Sequence, residues 1–385
     1  MKQVLYIGHI GVCGTAMAVH SRNIASLLEK NGYEITFISK HVPKGTDEFP
    51  SEDHFKYFYT KQYIKIPKFS AIEWMIEELS GYKIRSLFKK KAKVLHPELV
   101  VFYGYSGEKQ IIRYCHTHGI KVVIDRTDWF EPDDSLDFFG RFFTKNIADK
   151  CIEKYDFLAD GVISISKYFY DFYKKNGQKT IWIPPLIEFR PEKKFLDGEK
   201  STIRLVYAGS LGGTKDIIDP VVNALLYRYN STKIRFVLDL VGVFPKQLDD
   251  RFGVHEWDKY GIHAYGRVPH DEAEKIVSES DFSILLRHDK RYAKAGFSTK
   301  FSESLMNSVP IICTKVGGAD MLINDGFNGF LLENNSDISI TTTLDRILRM
   351  SPDQLRDMTH EAYLLGVNTF SSNLYQAELA NFIGN

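Results

Sequence analysis

Two successive series of short apolar runs, each run parted from the next by an amphipathic stretch of helical period, constrain this chain more than any other feature. Such alternation builds open α/β sheets of parallel strands with helices on both faces. In the first series Val4–Ile7 reads as a strand, Ala16 to Lys30 as its helix and Glu34–Ser39 as the next strand. Val19, Ile24, Leu27 and Leu28 give that helix one apolar face, and Asn31-Gly32 supplies its stop. Leu99–Phe102, Lys121–Ile124, Gly161–Ile165 and the short run Ile181–Ile183 follow as strands, whereas residues 41–95 are less regular and rich in Lys, Tyr and Phe. The second series has strands at Ile203–Tyr207, Ile234–Val241, Ile262–Tyr265, Phe282–Leu286 and Val309–Cys313. Helices fit at 216–229, 271–279, 299–307, 353–366 and 371–383. The expected division is a Rossmann-like domain over 1–187, a polar linker over 188–201 and a second Rossmann-like domain over 202–366. Residues 367–385 form a C-terminal helix that packs back on the first domain.

Composition removes other classes. Fifty Lys and Arg against 49 Asp and Glu leave a net charge of +1, so no domain-wide basic footprint calls for nucleic acid. Cys13, Cys115, Cys151 and Cys313 are far apart and make no CxxC pair, which argues against a zinc site or disulfide framework and for a reducing, cytoplasmic setting. Lys2 and the apolar run after it have the outline of a signal peptide, but Gly8, His9, Gly11 and Gly14 interrupt it; a buried strand and glycine turn explain it better. No uninterrupted run of 18 apolar residues suggests a membrane span.

Open parallel sheets bind ligands beyond the carboxyl ends of their strands. In the second series those ends carry Gly209-Ser210-Leu211-Gly212-Gly213-Thr214-Lys215, Gly242, Gly266-Arg267, Arg287-His288 and Lys315–Gly318. Glycines and cations gather there, as a phosphate site needs. Gly209–Lys215 follows a strand and opens a helix; it serves either as a backbone cradle with Lys215 as point charge or as a surface turn with a solvated lysine. Farther on, Ser298 or Thr299 can cap a helix that puts Lys300, Glu303 and Asn307 on one stripe and Phe301 and Leu305 on another. Taken alone, Lys300 and Glu303 read as an ordinary intrahelical pair.

Gly296–Glu303, Pro310-Ile311-Ile312, Gly317-Gly318 and Ile323–Leu332 together resemble the donor-site signature of family 4 glycosyltransferases. Val206–Leu211 with Lys215 is similar to the family's phosphate loop, Gly11–Gly14 to its opening turn, and Gly161–Ser166 with Ile183-Pro184-Pro185 to the end of its first domain. The likeness covers most of the chain and is weakest over 41–95. It implies a GT-B fold, with two Rossmann-like doubly wound domains facing across a cleft. It also implies retaining transfer of a sugar from a nucleoside diphosphate, UDP rather than GDP, to a hydroxyl of a glycan or lipid-linked glycan in cell-surface polysaccharide or glycoconjugate synthesis. No cofactor or metal is expected.

By that resemblance Glu303 holds the donor ribose, and Lys215 stabilises the departing diphosphate. Gly11, Gly14, Gly209, Ser210, Gly212, Gly213, Gly242, Phe297, Ser298, Thr299, Val316, Gly317 and Gly318 complete the donor side. Two positions depart from the pattern: Ala295 stands where the family has an acid, and Ser210 where many members have arginine. Arg287 and Lys300 are candidates to supply the missing cation, and Gly296–Lys300 resembles the Gly-Phe-Pro-Thr-Lys segment of a bacterial polysaccharide subset. On the acceptor side Asp125, Arg126 or Asp128 could position a hydroxyl, or Asp125 could cap a turn; no histidine is assigned a role. Lys89-Lys90-Lys91 reads either as a solvated helix face or as a peripheral contact with the anionic inner face of a membrane. The rival readings are a nucleotide-sugar epimerase of the same architecture and an inactive partner that assists a transferase.

Overall fold

The computed structural model describes residues 2–8, 10, 16–39, 54–60, 76–77, 79–131, 138–193, 202–211 and 215–384. The chain divides into two compact units, residues 1–186 with 372–385, and residues 187–371.

The first unit runs β1 (Lys2–Gly8), α1 (Ala16–Lys30), β2 (Tyr33–Ser39), β3 (Lys56–Tyr59), α2 (Tyr82–Leu95), β4 (Leu99–Tyr103), α3 (Glu108–Thr117), β5 (Lys121–Arg126), α4 (Phe138–Lys150), β6 (Gly161–Ser164), α5 (Lys167–Lys175) and β7 (Thr180–Trp182). The described strands form one parallel sheet in the order β3-β2-β1-β4-β5-β6-β7. Helix α1 has the bounds its periodicity predicts, and Gly32 ends it at φ 86°, a left-handed conformation that glycine adopts without strain. Strand β3 lies within the stretch that the sequence left irregular. The order reverses between β1 and β4, where Gly8 approaches the Tyr103 carbonyl so closely that a Cβ would overlap it. Tyr375, Leu379, Phe382 and Ile383 from the C-terminal segment join Val4, Tyr6, Leu27 and Ile163 in this unit's core.

The second unit runs β8 (Ile203–Ala208), β9 (Asp216–Ile217), α6 (Asp219–Ala224), β10 (Phe236–Val241), α7 (Pro245–Phe252), β11 (Ile262–Gly266), α8 (His270–Glu279), β12 (Phe282–Arg287), α9 (Arg291–Ala295), α10 (Thr299–Met306), β13 (Ile311–Thr314), α11 (Ala319–Leu322), β14 (Gly329–Leu332), α12 (Asp337–Ile347) and α13 (Pro352–Phe370). Its parallel order is β11-β10-β8-β12-β13-β14, and β9 pairs antiparallel with β12. The strands read as continuous apolar runs because both faces are covered. Leu205, Tyr207, Leu238, Leu240, Ile284 and Leu286 enter one core cluster, while Leu285, Ile311 and Cys313 enter a second and Val206 and Val241 a third. The helix expected over 216–229 starts only at Asp219, with Pro220 in its first turn, and widens to a π turn over Leu225–Tyr229. Residues 188–193 pack on this unit: Arg190 pairs with Glu274 at 2.9 Å, and the Lys193 ammonium donates to the Ser280 carbonyl at 2.8 Å. Helix α14 (Gln376–Gly384) returns to the first unit. Among the described residues no helix is long and apolar enough to cross a membrane.

Candidate functional site

The second sheet reverses its order between β8 and β12, so its ligand crevice is expected beyond Ala208 and Arg287. Three glycines make a ledge there. The Gly209 N–H donates to the Val241 carbonyl at 2.8 Å, Gly242 N–H to Gly266 at 2.7 Å, and Gly266 N–H to Val243 at 2.8 Å. Gly242, at φ 85°, lies so close that a Cβ would stand 2.8 Å from the Gly209 carbonyl oxygen. Side chains are excluded from this rim, which leaves the backbone open to a ligand.

Cations converge over the ledge. Lys300, in the first turn of α10, sends its ammonium past Gly209, where a Cβ would collide with it, to the carboxylate of Asp216. Arg287, at the end of β12, donates its Nε to the other oxygen of Asp216 at 2.7 Å. The Tyr207 hydroxyl donates to Asp216 at 3.1 Å, and the Lys300 ammonium sits 4.6 Å from the centre of the Tyr207 ring. Burial alone would raise the Asp216 pKa, but Lys300 and Arg287 hold it down at about 2. Burial lowers the Lys300 pKa, and Asp216 opposes that fall. One carboxylate thus faces two cations, leaving one positive charge uncompensated within the group.

Glu303 lies one turn beyond Lys300 on α10, partly buried. Burial raises its pKa, and His270, Arg190 and Lys300 pull the other way. The intrahelical pairing of Lys300 with Glu303 gives way to Lys300 with Asp216, a partner 84 residues distant. Ser298 occupies the N-cap position of α10 but makes no side-chain cap, and Thr299 opens the helix beside Glu303. Phe297 stacks edge-on against Phe301 and Phe370, at 5.4 and 5.7 Å between ring centres, and so serves the core. Gly317, at φ 60°, packs on the Gly296 carbonyl, where a Cβ would stand at 2.9 Å; Val316 is buried and Gly318 is left-handed beside it.

Lys215 is exposed and lies 6.0 Å from the centre of the Tyr292 ring. It precedes the short strand β9, a correction to the expected helix opening. Ser210 is exposed, and its carbonyl oxygen lies 3.2 Å from the Tyr207 hydroxyl oxygen. Gly212 and Gly213, like Gly11 and Gly14, lie outside the described residues.

At the reversal of the first sheet the acceptor-side candidates separate. Asp125 is buried, accepts from the Tyr6 hydroxyl, and has His20 Nε2 at 3.0 Å from each carboxylate oxygen. Arg126 is buried in a network with Asp156, Glu108 and the Gly104 carbonyl, the last at 2.8 Å, so it is not free to meet an acceptor. Only Asp128 of the three has an exposed side chain. Sequence reasoning passed over Asp216 and the pairing of His20 with Asp125; the signal available for Asp216 was a lone acid directly after Lys215 at a strand-end loop.

Residues 193–364 match the family model described as glycosyl transferases group 1. An uncharacterised glycosyltransferase of Methanocaldococcus jannaschii is 21% identical over 366 residues, covering 86% of this chain and 84% of that protein. Among solved structures, sucrose-phosphate synthase from Thermosynechococcus elongatus superposes with a TM-score of 0.73 at 15% identity, covering 100% of this chain and 98% of that one. HepE from Anabaena in complex with UDP-glucose gives 0.70 at 13% identity, with 100% of both chains covered. The fold is GT-B, and the family-model match falls on residues 193–364 at the second unit.

Proposed function

We propose that this chain, whose residues 193–364 match the model of group 1 glycosyl transferases, moves a sugar from a UDP-sugar to a hydroxyl of a glycan or lipid-linked glycan, with retention at the anomeric carbon and without a metal. The observation that carries the reading is the convergence of Lys300 and Arg287 on the glycine ledge at the β8/β12 reversal. The diphosphate lies along Gly209 and Gly242, and Lys300, Arg287 and Lys215 stabilise the charge that grows on it as the sugar departs. Ionised Glu303 accepts hydrogen bonds from the ribose hydroxyls. The bond from C1 to the phosphate oxygen breaks and the bond from C1 to the acceptor oxygen forms on the same face. The acceptor proton passes to the departing phosphate oxygen, so no protein base is needed. HepE, whose fold this chain shares, binds UDP-glucose, which supports a UDP-sugar as donor. Exposed Asp128 is the acceptor-side group. Exposed Lys89 and Lys90 on α2 give a peripheral contact with an anionic membrane on its cytoplasmic side.

The test is a panel of UDP- and GDP-sugars against the purified protein, scored for binding and slow hydrolysis. Preferential binding of one UDP-sugar with release of UDP supports an active donor site. Binding without any release, whatever acceptor is offered, favours the inactive-partner reading. Absence of binding by every member sinks the proposal.

A further inference from the structure

Asp216 is out of place in a site built for an anion. The residue is 9% exposed and lies at the sheet reversal, and its carboxylate binds Lys300 and Arg287, two of the three cations that the donor diphosphate would use. Three elements hold it there. The antiparallel bridge of β9 to β12 pairs Asp216 with Arg287, the Tyr207 hydroxyl donates to it from β8, and Lys300 reaches it from α10. A buried carboxylate that only anchored the fold could be satisfied by one cation; this one accepts from both. An incoming diphosphate carries the same sign of charge and competes for the same N–H groups.

On the donor-site reading above, we infer that Asp216 is a resident counter-ion, a positioning residue that keeps Lys300 and Arg287 aimed at the ledge and lowers affinity for the nucleoside diphosphate so that the product can leave. In the structure the two cations share one carboxylate. With the donor bound they turn part of their hydrogen bonding to the phosphate oxygens, and Asp216 repels the product from close range. Binding energy is thereby withheld from the ground state and from the product complex, where tight binding would slow turnover.

The experiment compares full-length wild type with Asp216→Asn, Asp216→Ser and Asp216→Glu. UDP and inorganic pyrophosphate are titrated by calorimetry, and circular dichroism confirms the fold. The expected result is that Asn or Ser binds UDP and pyrophosphate at least about five-fold more tightly, because a like charge has been removed at short range. Donor KM and kcat fall together, and Glu restores affinity to within about two-fold of wild type. Unchanged or weaker UDP binding by a folded Asn or Ser variant overturns the inference, as does equal tightening by Glu. If wild type binds no nucleoside diphosphate, the donor-site reading itself fails; if wild type binds and the neutral variants bind no more tightly, only the counter-ion role fails.

Discussion

The ammonium of Lys300 is paired with Asp216 on β9 and not with Glu303, its neighbour one turn along the same helix. This relationship divides α10 into two tasks. Its first turn delivers a cation to the glycine ledge, and its second keeps a carboxylate available beside His270 and Arg190.

Replacing Lys300 by Met should lower kcat about 100-fold if its cation meets the departing diphosphate. Lys215→Ala, at an exposed position, should cost less. Gly209→Ala gives an independent check, because its Cβ displaces the Lys300 ammonium while the flexible lysine stem yields. Steady-state kinetics with a fixed donor should rank Lys300→Met and Gly209→Ala below Lys215→Ala; the reverse order would move the phosphate clamp to Lys215.

Glu303 should set the acid limb of the pH profile. Burial raises its pKa above the usual glutamate value, and on the proposed function the ionised form is the one that accepts from two ribose hydroxyls. Activity should therefore fall as pH drops through that raised value. Glu303→Gln should lose most donor affinity and flatten the limb. Because a carboxyl raised in the folded state favours folding at low pH and loses that contribution as pH rises, the same variant should keep or gain thermal stability at pH 7. A large loss of Tm with unchanged donor affinity would make Glu303 structural.

Asp216 behaves in the opposite sense. Its pKa of about 2, against 3.8 for the free side chain, contributes on the order of 2 kcal/mol. That contribution is present above about pH 4 and is lost as pH falls toward 2. Urea titrations across this window should show wild type losing stability steeply. Asp216→Asn, less stable at neutral pH with two cations left unmatched, should lose less on acidification; parallel slopes would remove Asp216 from the linkage.

Asp125→Ala should unfold the first unit before it reveals any selective loss of turnover. Its carboxylate is buried against Tyr6 and His20, and leaving buried polar groups without their acceptor costs about 1–3 kcal/mol each. Asp128→Ala should leave the melting temperature within about 2 °C and act on acceptor kinetics alone. A folded Asp125→Ala with a purely kinetic defect would return Asp125 to the chemistry.

The regular parts of both sheets were legible because they obey local rules. Apolar runs buried on two faces announced β8, β10 and β12, and periodicity with a terminal glycine placed α1. What escaped was too short, too rich in β-branched residues, or too distant. β9 has two residues and no period to detect. Helix α12 contains three consecutive threonines and three isoleucines, whose stiff side chains weaken a helical reading. The partners Lys300 with Asp216, and His20 with Asp125, are separated by 84 and 105 residues, beyond any spacing rule. Within the site, the helix carrying Lys300 and Glu303 could be placed from its apolar stripe, although the side-chain cap expected at its start does not form. Which carboxylate Lys300 would choose could not, because the helical spacing points to Glu303 and the sheet brings in Asp216.

The first unit's core is closed by Tyr375, Leu379, Phe382 and Ile383, with the Phe382 ring packed against Gly161. The chain leaves that unit after Leu186 and rejoins it at Ser372. On the ribosome, all the residues of the second unit emerge before those that complete the first. The domain begun first must therefore wait, its apolar wall open, until the segment from Ser372 onward arrives. Its vulnerable interval during biosynthesis lasts as long as the translation of its neighbour, and chaperone dependence should centre there.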